Sequence, residues 1–160
     1  MPELSFKEWV EKMNEEARNN EQGQRRAEWL RAYGQLKDQI TRWLREDGLE
    51  QQIQIHPERV QRRELGLGTY DLEGLQIEIG DESVKVEPIS RNVIGYVNPP
   101  GGGEIRASGR VDLKSSAQKY VLYRTIQDGK DVWYAVDEGR YAVTPFTKER
   151  LQEILMDLMS

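Results

Sequence analysis

Asp128-Gly129 stands between two runs rich in β-branched and aromatic residues, Lys119-Tyr-Val-Leu-Tyr-Arg-Thr-Ile-Gln127 and Lys130-Asp-Val-Trp-Tyr-Ala-Val-Asp137. A type I′ turn needs positive φ at both central residues, and Asp-Gly supplies it at little steric cost, so the pair marks a two-residue β-hairpin. Such a loop sets Thr125 opposite Val132, Tyr123 opposite Tyr134 and Val121 opposite Val136, one apolar face of a pleated ribbon. The other face pairs Leu122 with Ala135 and Arg124 with Trp133, the latter a cross-strand cation–π candidate. The hairpin is expected at the centre of an antiparallel sheet.

The flanking chain fits that reading. Ser5 and Glu8 form a capping box ahead of an apolar stripe of Phe6, Trp9, Val10, Met13 and Ala17, and a second stripe holds Trp29, Leu30, Tyr33, Leu36, Ile40, Trp43 and Leu44 before Gly48. On one straight helix the two stripes would point roughly 170° apart. A break near Asn19–Gly23 lets both face one core, which predicts a helical hairpin. Short alternating runs follow. Leu75, Ile77 and Ile79 turn through Gly80 to Ser83 and return through Val84 and Val86. Val93 to Val97 reads as a strand, Asn98 to Gly103 as a loop, and Ile105 to Leu113 as a long strand with a bulge or bend at Gly109. Tyr141 to Val143 is a last short strand. Thr147 then caps a helix whose stripe is Leu151, Ile154, Leu155 and Leu158.

The expected fold class is therefore α+β: an N-terminal helical hairpin (1–48), then a strongly twisted antiparallel sheet or partly open β-barrel with a C-terminal helix (49–160), packed as one compact unit. At 160 residues the chain is long enough to bury a core without staples. It has no cysteine, which excludes disulfides and thiolate metal sites. The start Met1-Pro-Glu-Leu-Ser-Phe-Lys lacks a basic region followed by an apolar run, so no secretory leader is expected. No apolar stretch approaches the ~18 residues of a membrane span. A soluble, cytoplasmic protein is expected, and its net charge of −5 argues against generic nucleic-acid affinity.

Chemistry-bearing patterns are sparse. His56 is the only histidine and has no recognisable nucleophile or orienting acid around it. Gly66-Leu-Gly68 lacks the third glycine and the following helix of a dinucleotide fingerprint and reads as a turn between strands; Gly101–Gly103 is not followed by the Lys-Ser/Thr of a P-loop. Asp112-Leu-Lys114 is half of a metal-dependent nuclease pattern, in which a second acid (Asp81, Glu82 or Glu104) would help hold Mg²⁺ and the lysine would steady the attacking water. Arg106, Arg110, Lys114, Lys119 and Arg124 form a row of cations that, with Tyr120, Trp133 and Tyr141, resembles a single-strand-binding face.

Trp9, Trp29 and Trp43 lie among Arg25, Arg26, Arg31 and Arg42, more aromatic surface than two helices hide between themselves. Trp29, Trp43, Arg25 and Arg26 are the expected anchors for a protein partner, since Trp and Arg dominate interface energetics. The sequence thus points first to a non-enzymatic cytoplasmic accessory protein, of adaptor, inhibitor or immunity type, with no metal, cofactor or membrane association. A nucleic-acid-binding module using the Arg106–Arg124 face is the alternative, and a metal-dependent nuclease the third reading.

Overall fold

A computed structural model describes residues 3–160. Met1 and Pro2, where the leader reading begins, lie outside the described residues, as do the side chains of Arg18 and Asn19. The elements run α1 (Phe6–Asn19), α2 (Glu21–Arg45), β1 (Ile53–Glu64), β2 (Gly68–Ile79), β3 (Glu82–Ser90), β4 (Tyr96–Val97), β5 (Ile105–Arg106), β6 (Arg110–Lys114), β7 (Lys119–Gln127), β8 (Lys130–Asp137), β9 (Ala142–Pro145) and α3 (Lys148–Leu158). Seven strands form one antiparallel sheet in the order β1-β2-β3-β6-β7-β8-β9, and β4 pairs with β5 separately. The class is α+β. The sheet is open rather than closed into a barrel.

The β7–β8 hairpin has the expected register, with Thr125 opposite Val132, Tyr123 opposite Tyr134 and Val121 opposite Val136. Asp128 and Gly129 both take positive φ, 51° and 73°, as a type I′ turn requires. The β1–β2 hairpin pairs over twelve residues on each strand, continuing through Pro57, opposite Leu75. Pro57 is tolerated because β1 is an edge strand, where a missing N–H breaks no ladder bond. The long strand expected over Ile105–Leu113 is divided into β5 and β6 at Ala107–Gly109, and of Val93–Val97 only Tyr96 and Val97 pair.

Helices α2 and α3 cover one face of the sheet. Trp29, Tyr33, Leu36, Ile40 and Leu44 of α2 and Leu151, Ile154, Leu155 and Leu158 of α3 are buried against Leu72, Ile77, Val86, Val111, Leu113 and Leu122. The helix caps are those the sequence indicated. Ser5 Oγ accepts from the N–H of Glu8 at 3.1 Å, and Thr147 Oγ1 accepts from that of Arg150 at 3.1 Å. On the sheet's opposite face a smaller cluster of Val97, Ala107 and Tyr134 forms where the β4–β5 pair meets β7 and β8. Both faces of the β7–β8 hairpin are therefore buried, although it lies toward the β9 edge of the sheet rather than at the expected centre, with β6 in the middle of the strand order.

The chain does break between the two helical stripes, at Asn20, whose side chain caps α2 by accepting from the Gly23 N–H at 2.7 Å. The expected result does not follow. The stripe of α2 enters the core, but Phe6, Trp9 and Met13 of α1 stay 78%, 49% and 48% exposed. No helix of the described residues is long and apolar enough to cross a membrane.

Trp29, fully buried, lies against Gly109, where an added Cβ would sit 2.4 Å from the indole Cζ3 and 3.1 Å from Arg124 Cβ. Gly109→Ala should therefore destabilise the protein by about 1–3 kcal/mol through overpacking. The combination with Trp29→Phe should cost less than the sum of the single changes, because the smaller ring vacates the space the methyl needs. Urea denaturation of the four proteins in this cycle measures the coupling.

A second expectation concerns alkaline pH. Burial and the Asp157 carboxylate, which accepts from the Tyr120 hydroxyl at 2.6 Å, push the Tyr120 pKa up to about 12. Burial first and a nearby acid second also raise Tyr33 and Tyr70. A tyrosine whose folded pKa exceeds its unfolded value of about 10 favours the native state below pH ~10, and that contribution is lost as pH rises through the folded pKa. Native stability should fall between pH ~10 and ~12, and Tyr120→Phe should flatten the decline.

Candidate functional site

The structure sorts the residues singled out from the sequence into four environments. The first is the core. Trp29 is 0% exposed and stacks obliquely on Trp133 and Tyr33, with ring centroids 6.3 and 6.2 Å away. As a partner anchor it is therefore corrected: its aromatic surface is consumed within the fold. Arg26 is likewise structural, donating to the Leu67 carbonyl at 3.1 Å and tying α2 to the β1–β2 turn. Trp43 is half-buried. It packs edge-on against Phe146 at 5.6 Å and lines a shallow apolar groove of about 600 Å³ with Leu49, Ile53 and Met156.

The second environment is the row of cations on the strands, most of which is already paired. Arg124, 1% exposed, does not meet Trp133 as a cation–π partner. Its guanidinium ion-pairs with Glu28 of α2, with Asp131 of β8 at 2.8 Å, and donates to the Ser108 carbonyl at 3.2 Å. Arg110 forms a two-pronged pair with Asp112 at 2.9 and 3.2 Å. That hydrogen-bonded carboxylate holds the Arg110 pKa above its usual value. Lys119 lies 3.6 Å from Glu138, and Lys114 pairs with Glu87. Although burial opposes it, the Lys114 and Arg62 contacts lower the Glu87 pKa on balance. Tyr120, expected as a stacking surface, is buried under α3. Only Arg106 of that row is exposed with no hydrogen bond or ion pair from its side chain among the described residues. A continuous phosphate-binding stripe is not what these side chains form.

The same pairing bears on the nuclease pattern. Asp112 is 4% exposed, with both carboxylate oxygens engaged by Arg110. No group of three or more metal-ligating side chains occurs among the described residues. His56, at the sheet edge, lies 3.4 Å from Glu78.

The third environment is α1. Leu4, Phe6, Trp9 and Met13 make an exposed apolar surface on a helix whose N-terminus is capped, with the Phe6 and Trp9 rings stacked 5.9 Å apart. Trp9 is the exposed tryptophan of the helical segment and was absent from the anchors chosen on sequence. Position along the chain does not distinguish it from Trp29; only the direction in which each stripe faces does.

The fourth is a cleft of about 750 Å³ where α2, the β1–β2 turn and the segments 91–94 and 106–108 meet, lined by Arg25, Gly66, Arg91, Ile94, Arg106 and Ser108. It brings together Arg25 from the partner-binding set and Arg106 from the nucleic-acid set, with Arg91, which neither set contained. Backbone chemistry builds it. Glu64 at the end of β1 accepts from the N–H groups of Arg91 and Asn92 at 2.9–3.1 Å, and Asn92 Nδ2 donates to the Leu65 carbonyl at 2.8 Å. This fastens the 91–92 segment to the turn. Gly66, at φ +81°, leaves room for Arg25: a Cβ there would lie 3.3 Å from its Nη1. Arg106 is set by its register opposite Tyr96.

Comparisons with protein-family models, curated proteins and solved structures yield no match.

The paired and unpaired arginines should respond differently to removal. Arg124→Met leaves Glu28 and Asp131 facing each other and should destabilise by roughly 3 kcal/mol, the low end of the range for a broken buried pair because Glu28 retains access to water. Arg106→Ala should stay within about 0.5 kcal/mol of the parent. Chemical denaturation of both variants checks the contrast.

Proposed function

We propose that the protein is a non-enzymatic accessory protein of the cytoplasm, of adaptor, inhibitor or immunity type, that docks a protein partner through the apolar face of α1. One observation carries this reading: a capped 14-residue helix leaves Phe6, Trp9 and Met13 exposed while the rest of the molecule has its own complete core. An amphipathic helix laid into a partner's groove is read through anchors at i, i+3 and i+7. Phe6, Trp9 and Met13 have that spacing. Aromatic anchors supply most of the affinity in such interfaces. The partner is a protein offering one apolar groove. Trp43 is not part of that face: it lines its own groove with Leu49, Ile53 and Met156.

The test places a photo-crosslinking benzoyl-phenylalanine at position 6 of the full chain in the producing cell. A single adduct of defined mass is expected, lost in the double variant Trp9→Asp, Met13→Asp. The unfolding free energy should change by less than about 0.5 kcal/mol, as for surface substitutions. An adduct at twice the chain's own mass would identify the partner as a second copy. No adduct, or one that survives the double substitution, would sink the proposal.

A further inference from the structure

We infer that the cleft between α2, the β1–β2 turn and the 91–94 segment is a binding site for a phosphorylated small molecule of nucleotide size, held through Arg25, Arg91 and Arg106. The inference is independent of what α1 binds.

Three guanidiniums reach this cleft from separate elements, and no carboxylate lines it. Two nearby acids are turned to other partners. Glu64 faces the backbone N–H groups of Arg91 and Asn92 and the Tyr70 hydroxyl. Glu28 is held by Arg124. Arg25 has only a 3.5 Å contact with Glu21, one helical turn away and itself 87% exposed. Arg91 makes a 3.4 Å contact to Asn92, and its buried Nε has no hydrogen-bond partner among the described residues. The Arg106 side chain has no hydrogen-bond or ion-pair partner among the described residues.

In a chain of net charge −5, where the other strand-borne arginines and lysines of the row are paired, this is a local excess of positive charge in a concavity. Planar guanidiniums bind phosphate oxygens through paired N–H donors, which makes phosphate the matching anion.

Part of the lining is apolar: Leu65 and Ile94 are almost fully exposed. A volume near 750 Å³ lies within the range of small-molecule sites. Phosphates on the arginines and a flat organic body on Leu65 and Ile94 match that division between charged and apolar lining.

Isothermal titration calorimetry of the full chain with ATP tests this, with sodium tripolyphosphate and a single-stranded oligothymidylate as parallel probes. ATP should bind with a Kd below ~1 mM, and tripolyphosphate about tenfold more weakly for want of a ring. Arg106→Glu and Arg25→Glu change exposed side chains, so both should keep the native circular dichroism while weakening ATP by about tenfold or more. Absence of ATP binding at millimolar concentration would overturn the inference. So would binding that both charge reversals leave unchanged, or tripolyphosphate binding as tightly as ATP. An oligothymidylate that binds more tightly than ATP would overturn it too, in favour of a nucleic-acid strand.

Discussion

The buried Arg124 guanidinium is the interaction on which the arrangement of helix and sheet depends. A charge removed from water at this depth is tolerable only when its donors are met. Here Glu28 arrives from α2, Asp131 from β8 and the Ser108 carbonyl from the chain entering β6. A lysine would offer a point charge where this site uses a planar fork with donors in several fixed directions. Because Glu28 precedes Trp29, the pair also fixes the rotation of α2 that directs the indole onto Gly109. Polar and apolar contacts therefore specify the same placement of α2, and a helix rotated by one residue would lose both.

Gly109 also decides where the chain goes next. The backbone on either side still pairs with β7, through Ser108 N–H to the Arg124 carbonyl at 2.7 Å and the Arg124 N–H to the Gly109 carbonyl at 2.8 Å. The indole occupies the space a side chain would take, so the strand bends there, and β5 leaves the main sheet to pair with β4. The departure places Arg106, Ala107 and Ser108 along the cleft and delivers Ala107 to the smaller apolar cluster behind the hairpin. The packing that closes the core thus also shapes a concavity outside it.

What the sequence disclosed and what it concealed divide along the range of the interactions. The Asp128-Gly129 turn, its register, the Ser5 and Thr147 caps and the stripe of α3 are set by residues a few positions apart, or by a two-residue loop that fixes every pair beyond it. These were legible. The fate of Arg124 depends on Glu28, 96 positions away, so alternation along β7 displayed a cation without revealing its counter-ions. The same holds for Lys114 and Lys119, whose partners Glu87 and Glu138 lie 27 and 19 positions away. The Asp112 that pairs Arg110 stands two residues along the same strand, but a strand's alternation does not show that the two side chains meet. For the cleft, Arg25, Arg91 and Arg106 share no spacing, and only the hairpin turn and the Glu64 clamp bring them together.

Amphipathic periodicity has a related blind spot, visible in the contrast between α1 and α2. A stripe records that a helix has an apolar side; it carries no information about what covers that side. In α2 the cover is the sheet. For α1, Asn20 ends one helix and caps the next, so the second begins in a new direction and the first is released from the core. A 14-residue helix is marginal alone, and α1 persists as an ordered element through its Ser5 cap and its junction with α2. Since Tyr33, Leu36, Ile40 and Leu44 bury the later turns of α2 without help from α1, the core does not depend on the exposed face of α1. Exposed apolar patches of this kind are a feature of surfaces that meet other molecules, and the needs of the fold leave Phe6, Trp9 and Met13 without a role in the core.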